Sequence, residues 1–352
     1  MWAGFAAYLG ALALAPRLDR RLVWAAIAAL IILFACLPPL LSHDVYSYVD
    51  YARLAVQHGL DPYVHAPRSA PGDPAFPHVT WTETSSAYGP LFTLATYPLA
   101  WLPVEAAVYV LKAASAAAVM AIAYLLARLA PARGIDPTRA AAFVALNPLV
   151  LVHVVGGPHN DGFAVLLMTL GLAGMLTARE GLAGGAFVAA GAAKATAAIA
   201  IPFALLGAER RRRFLLGGLV ALALVALAAY LAFGWNWLHA FTLAGENQGR
   251  TSHLSIPITT ARLTGLDPDW ARAAFLVLYA ALVIYLLAWT HRGGDWLRAT
   301  AWATTGLLLA TAWLLPWYLL WPLPAVALSR DRVLQALLLG LTAYQLGARI
   351  PL

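Results

Sequence analysis

Long apolar runs separated by short basic clusters constrain this chain more than any other feature. At 22–41, 104–127, 214–233 and 271–290 the sequence continues for a full helix length with very few charges, and about twenty such residues are what an α-helix needs to cross a hydrocarbon core. Only 11% of the 352 residues are charged and 62% are hydrophobic, whereas soluble domains carry roughly a quarter charged residues. A water-soluble globule is excluded. At about 20 residues per crossing, the apolar content is enough for roughly eleven spans. The runs lack the alternation of a membrane barrel, so they read as helices. The expected fold class is therefore all-α, a polytopic transmembrane bundle of about 10–12 membrane helices, some short or broken.

The basic residues mark one side of the membrane. Arg17, Arg20 and Arg21, Arg128, Arg133 and Arg139, Arg179, Arg210 to Arg213, Arg292 with Arg298, and Arg330 with Arg332 punctuate the runs, 15 basic residues against 6 acidic ones in these segments. Such clusters face the cytoplasm. The net charge of +7 is thereby explained by orientation, and a nucleic-acid partner is not expected. Cys36 is the single cysteine, so no intrachain disulfide is expected. The first fifteen residues are apolar without a preceding basic stretch, and read as a short span or half-span rather than a removable signal.

Charge parity then sets the path. The chain leaves the cytoplasm at 22–41, passes through a first outer loop at 42–103, and returns at 104–127. Residues 90–102 are too short to cross and read as an interfacial helix. Spans follow at 139–156 and 163–178, and 181–208 forms a short hairpin broken near 191–194. Further spans are expected at 214–233, 271–290, 297–314, 317–329 and 333–350, with a second outer loop at 234–270. The whole chain, 1–352, reads as one membrane domain with no soluble appendage.

The first outer loop carries most of the chemistry. In SHDVYSYVDYARLAVQHGLDPY at 42–63, Val45, Tyr48, Val49, Ala52, Ala55 and Val56 recur at helical spacing, and Gly59 ends the helix. Asp44 opens it where the preceding span meets water. A carboxylate there suits a general base, and equally suits an N-cap. Asp61 with Pro62 reads as turn chemistry taken alone. The loop also holds His43, Tyr46, Tyr48, Tyr51, Tyr63, Trp81 and Tyr88, a set of aromatic faces and carboxylates suited to a sugar.

The blocks HDVYSY, GLDPY, AYGPL, NPLVLVHVVGGPHNDG (147–162), AAKATAAIAIPF (192–203) and PWYLLWPLP (316–324), in that order, resemble the bacterial polyprenyl-phosphomannose-dependent mannosyltransferases of the GT-C superclass of integral-membrane glycosyltransferases. The resemblance covers about 40–330. It implies a GT-C-like bundle that moves a hexose, in this family mannose, from a polyprenyl-phosphate donor to a glycan or glycolipid acceptor. The transfer takes place on the non-cytoplasmic face of a bacterial plasma membrane, with inversion. It also places the catalytic base at Asp44. The chain is shorter than many members, and AAKATA replaces the more usual Lys-Pro or Lys-Ala-Pro.

Polar residues among the apolar runs are the remaining candidates. Lys194, with about ten apolar or small residues on either side, is costly in lipid and reads as a partner for the donor phosphate. Lys112 reads as snorkelling to the interface. His159, Asn160 and Asp161 sit on an outer turn where a sugar or phosphate contact is expected. Glu246, Asn247, Gln248, Arg250 and His253 form the second polar cluster, with Arg250 the second phosphate candidate. The resemblance adds Trp317 and Tyr318 as binding residues. No cofactor is implied. A divalent metal is unsupported, although His43, Asp44, His159 and Asp161 are of ligand type. The rival reading is a transporter or flippase for a lipid-linked sugar, which would also use broken helices and a mid-membrane lysine; the extensive first outer loop favours the transferase.

Overall fold

A computed structural model describes residues 2–247 and 249–348; Gln248 and the end of the last expected span lie outside them. The described residues form helices, turns and loops, with no strand among them. Helix α1 (Trp2–Leu14) and α2 (Arg20–Cys36) precede α3 (Asp44–His58) in the first outer loop. That loop closes with α4 (Pro90–Thr96) and a 3-10 turn, Tyr97–Trp101, so the expected interfacial helix at 90–102 divides at Pro98. Then come α5 (Val104–Leu129), α6 (Pro137–Ala145), a π-helix (Val150–Gly156), α7 (Asp161–Leu176) and α8 (Glu180–Ala193). The second half contains α9 (Ala200–Gly207), α10 (Arg211–Phe233), α11 (His239–Asn247), α12 (Ile256–Thr264), α13 (Pro268–His291), α14 (Trp296–Ala310), α15 (Leu323–Ser329) and α16 (Arg332–Ala348).

Among the described residues, three helical segments are long and apolar enough to cross a membrane unaided: Val104–Arg133, Arg211–Phe233 and Pro268–His291. Pro137–Ala145 and Val150–Gly156, bent by 65° at the break, would make a fourth. The other expected spans are shorter helices, of which α7, α14 and α15 are largely buried while α2 is exposed along much of its length. The outer helices show why this is a membrane protein. Along α10, Leu215, Leu216, Leu219, Val220, Leu222, Leu224, Leu227 and Leu231 are exposed, as are Leu276, Val277, Leu278 and Ile284 along α13. Such long apolar stripes mark surfaces covered by lipid or by another protein, and on helices of this length and hydropathy they fit lipid.

Acidic residues within the basic clusters have a local role. Asp19, Asp136 and Asp295 accept from the first free amides of α2, α6 and α14, satisfying donors that a helix start leaves open. Small residues set the closest packing. A Cβ on Gly217 of α10 would lie 1.8 Å from the Gly181 carbonyl oxygen of α8, and one on Gly184 would lie 2.0 Å from the Phe214 carbonyl oxygen. The two backbones are thus in contact, as in other small-residue helix pairs in lipid.

Gly217→Ala is expected to separate α8 from α10 at a cost of about 1–3 kcal/mol, read as a lowered melting temperature in detergent. Gly340→Ala, mid-helix in α16 with a Cβ that meets nothing within 4 Å, should instead raise stability by about 0.5–1 kcal/mol.

Candidate active site

Helix α3 supplies the site. Its first three turns are enclosed on nearly every side, since Ser47, Asp50 and Arg53 are buried together with Val45, Tyr48, Val49, Tyr51 and Leu54. It is therefore an internal helix rather than one lying on the surface. Gly59, at φ +66°, ends it in the left-handed conformation, which glycine adopts without strain. Arg53 and His58 both bind Asp73, at 2.8 Å each, and so fasten the 67–79 stretch to the helix.

Asp44 is not a cap. It is the first helical residue, and neither it nor His43 makes a side-chain capping bond. Its Oδ1 instead accepts from the Trp81 indole at 3.3 Å, and its Oδ2 lies 3.6 Å from His159 Nε2. Burial pushes the Asp44 carboxyl up, but the charge and proximity of His159, the Trp81 N–H and the charge of Lys194 outweigh burial and hold it below the ordinary 3.8. The carboxylate form is thus the resting form throughout the neutral range.

His159 comes from the turn that follows the π-helix. Its Nδ1 is 2.6 Å from the His153 carbonyl oxygen; a carbonyl only accepts, so Nδ1 carries a proton. Its ring stacks on Trp317 with centroids 3.6 Å apart. Nε2 is therefore the free ring position, buried and without a hydrogen-bond partner, as is Asn160 Nδ2 beside it. Tyr48 anchors this turn to α3, its hydroxyl accepting from the Asn160 amide at 3.3 Å.

Lys194 stands where α8 ends. The chain is extended there, at φ −154° and ψ 117°, before a 3-10 turn leads into α9, so the expected break falls where the sequence placed it. The ammonium is 2.8 Å from both oxygens of Asp161 and 3.4 Å from Asn160 Oδ1. Asp161 is fully buried and also accepts from the Trp321 indole at 2.5 Å. The Lys194 ammonium further lies over the rings of Tyr318 and Trp321. Gly89 closes this corner: its amide donates to the Ala193 carbonyl at 3.3 Å, and a Cβ would lie 2.0 Å from the Ala192 oxygen.

These groups border a cavity of about 370 Å³, within the size range of small-ligand sites. Of the expected residues, Asp44, Tyr48, Trp81, Tyr88, His159, Asn160, Lys194, Arg250, Trp317 and Tyr318 line it. Asp161 lies beneath it, bound to Lys194. Arg250 reaches in from the second outer loop, its guanidinium 4.7 Å from the Trp81 ring and 5.3 Å from the Trp313 ring.

Other expected residues are elsewhere. His43 is exposed with Nδ1 3.2 Å from the His78 carbonyl, and Tyr46 stacks on His78. Asp61 accepts from the Tyr63 amide and from Asn236, tying the two outer loops together. Tyr63 is buried, donating to the Tyr88 carbonyl at 2.8 Å. Lys112 is fully buried rather than snorkelling; its ammonium donates to the Gly156 carbonyl at 2.5 Å at the end of the π-helix. Among the described residues, no three His, Cys, Asp or Glu converge as a metal would need. Sequence reading missed Trp313 and Trp321, although Trp313, Trp317 and Trp321 recur every four residues, a spacing that signals one shared face.

Comparison with known proteins places this arrangement. The family model described as "Alpha-(1->6)-mannopyranosyltransferase, N-terminal domain" matches residues 1–210. The chain belongs to this family. It is 31% identical to alpha-(1->6)-mannopyranosyltransferase A of Mycobacterium tuberculosis over 87% of the chain and 65% of that protein. It is 31% identical to the protein of the same name from Corynebacterium glutamicum, over 53% of the chain and 38% of the relative. Alpha-(1->6)-mannopyranosyltransferase B of Corynebacterium glutamicum is 25% identical over 87% of the chain and 58% of the relative. The chain therefore spans less than two thirds of the length of these relatives. No solved structure matches it.

Lys194→Met leaves Asp161 charged and buried without its partner, and should lower stability by about 3–5 kcal/mol. Lys194→Met with Asp161→Asn should recover part of that loss, since neither charge remains; melting in detergent reads both.

Asp50 gives a pH-dependent test. Both its oxygens are buried without a hydrogen bond, and burial, reinforced by the Asp73 charge, pushes it from 3.8 up to about 7. The folded protein therefore holds this proton between those values, where the unfolded chain releases it, and stability falls as pH rises through that window. Asp50→Asn should be nearly neutral near pH 4 and stabilising by roughly 3–5 kcal/mol at pH 8, measured by melting at both pH values.

Proposed function

We propose that this chain is a single membrane-embedded glycosyltransferase unit. It transfers a hexose, mannose by its family, from a polyprenyl-phosphate donor to a hydroxyl of a glycan or glycolipid acceptor. The observation that carries this reading is an ionised carboxylate, Asp44, on the wall of a cavity that also holds unpaired hydrogen-bonding atoms and two cationic side chains. The reaction takes place on the non-cytoplasmic face of a bacterial plasma membrane, as the basic clusters on the opposite ends of the helices imply.

The acceptor hydroxyl gives its proton to Asp44 as its oxygen attacks the anomeric carbon. The bond from that carbon to the phosphate oxygen breaks, and its electron pair leaves with the lipid phosphate. Negative charge grows on the phosphate, where Arg250 and the Lys194 ammonium are positioned to offset it. Arg250 is the freer of the two because Lys194 is already shared with Asp161. His159, whose Nε2 faces Asp44 at 3.6 Å, favours the charged form of that carboxylate and orients it. The unpartnered side-chain Nδ2 of Asn160 supplies a donor for a sugar hydroxyl. A single displacement inverts the anomeric carbon. If the product linkage is α-(1→6), as the relatives' names have it, the donor phosphate is β-linked.

Asp44→Asn should lower kcat for transfer from polyprenyl-phosphomannose by about 10²–10⁴-fold while binding of the lipid donor is retained. Turnover equal to wild type in that variant would remove Asp44 as the base. An α-linked donor should be inert.

A further inference from the structure

The Asp44 cavity adjoins the C-terminal end of α14, where Leu307 and Thr311 border it. Roughly 22 Å away, at 1.5 Å per residue along the same helix, a second cavity of about 610 Å³ opens at the N-terminal end, lined by Arg133, Asp295, Arg298, Arg330, Asp331 and Arg332. Its arginines belong to the basic clusters that the sequence assigns to the cytoplasmic side, opposite the Asp44 cavity. Nothing in the transfer reaction uses this second cavity.

Its charges do not balance. Asp295 gives one oxygen to the amide of Leu297 at the start of α14 and the other to Arg133. Asp331 caps α16 through the amides of Val333 and Leu334, and its other oxygen takes Arg298 at 2.7 Å and the Trp302 indole at 3.0 Å. Both carboxylates are fully committed, whereas Arg330 and Arg332 have no carboxylate partner among the described residues. Four guanidinium groups thus face two carboxylates, leaving two positive charges.

The backbone is bent to hold this arrangement. Arg330 adopts the left-handed conformation at φ +59°, rare for a residue with a side chain. Its Nη1 then lies 3.6 Å from where a Cβ of Gly134 would be, and Gly134 is itself left-handed at φ +64°. The Arg330 guanidinium is thereby laid against the turn that follows α5. The cavity also reaches the lipid boundary: Trp289 of α13, the helix with an exposed apolar stripe, lines it, and Val333 beside it is exposed.

The geometry points to a phosphate-binding site for the headgroup of an anionic lipid on the face opposite the Asp44 cavity, with Arg330 and Arg332 as its unpaired charges. Basic recesses between membrane helices commonly take such headgroups, and each phosphodiester offsets one of the two residual charges.

The test uses full-length protein in detergent, titrated with phosphatidylglycerol or phosphatidylcholine, with bound lipid counted by native mass spectrometry. The comparison variant is Arg330→Gly with Arg332→Ala; glycine suits the left-handed backbone at 330, so the turn is kept. Wild type should retain phosphatidylglycerol over phosphatidylcholine, and the preference should fall about fivefold per arginine removed. Mannosyl transfer assayed in detergent should not change. Inorganic phosphate is the second probe. If it raises the wild-type melting temperature and displaces phosphatidylglycerol, the phosphate group is the recognised element in a lipid. If it binds while neither lipid is preferred, the site stands for phosphate but the lipid as its source is overturned. Equal retention of both lipids with no effect of phosphate, or a preference unchanged in the variant, overturns the proposal. Should the double variant melt well below wild type without lipid, Arg332→Ala alone, at the exposed start of α16, gives the same readings.

Discussion

The Lys194–Asp161 pair is the interaction on which the rest of this structure depends. A lone ammonium or carboxylate at such a depth is expensive to desolvate, so each is tenable only because the other is 2.8 Å away. The pair joins the first residue of α7 to the point where the chain between α8 and α9 opens out. Trp321 adds its N–H from a third part of the chain, and Tyr318 and Trp321 place their ring faces under the ammonium. A helix break that would otherwise expose backbone to lipid is thus fixed against two other elements. The cavity is the space that this fixed break leaves.

Every other interrupted element near the cavity is settled in the same way, by finding a partner for the backbone that the interruption frees. Lys112 and Ser115 of α5 donate to the Gly156 and Val154 carbonyls at the end of the π-helix. The Leu40 amide donates to that same Gly156 carbonyl, and the Gly89 amide to that of Ala193. Irregular backbone at membrane depth is tolerated where protein satisfies it. The two outer loops are then tied together twice, through Asp61 with Asn236 and through Arg250 between Trp81 and Trp313.

Much of the frame was legible in the sequence because its signals are local. Gly59 stops α3, and the run around Lys194 is too short to cross twice, so the break followed from length and charge alone. Asp44 was legible by position, but its freedom from capping was not, since that depends on which residue takes the first helical dihedral angles. His43, Tyr46, Asp61 and Tyr63 share a loop with Asp44 yet point away from the cavity, because a helix and a turn send neighbouring side chains in different directions. The burial of Asp50 and Lys112 depends on long-range packing. A periodicity argument reads one helix at a time, and it cannot see that the first turns of α3 are enclosed or that α5 meets the end of the π-helix.

The π-helix that delivers His159 has a consequence of its own. Its wide turn, closed by the Gly157 amide on the Val152 carbonyl at 3.0 Å, accommodates one residue more than an α-helical turn would. A residue lost within 150–156 is absorbed as the segment relaxes to ordinary winding, whereas one lost at 157–158, where no helix can absorb it, would displace everything after it. His159 would swing off Asp44 and Asp161 off Lys194 together. The acid at the cavity wall and the ion pair beneath it are therefore kept in register by chain length, so a single deletion there would act on both at once.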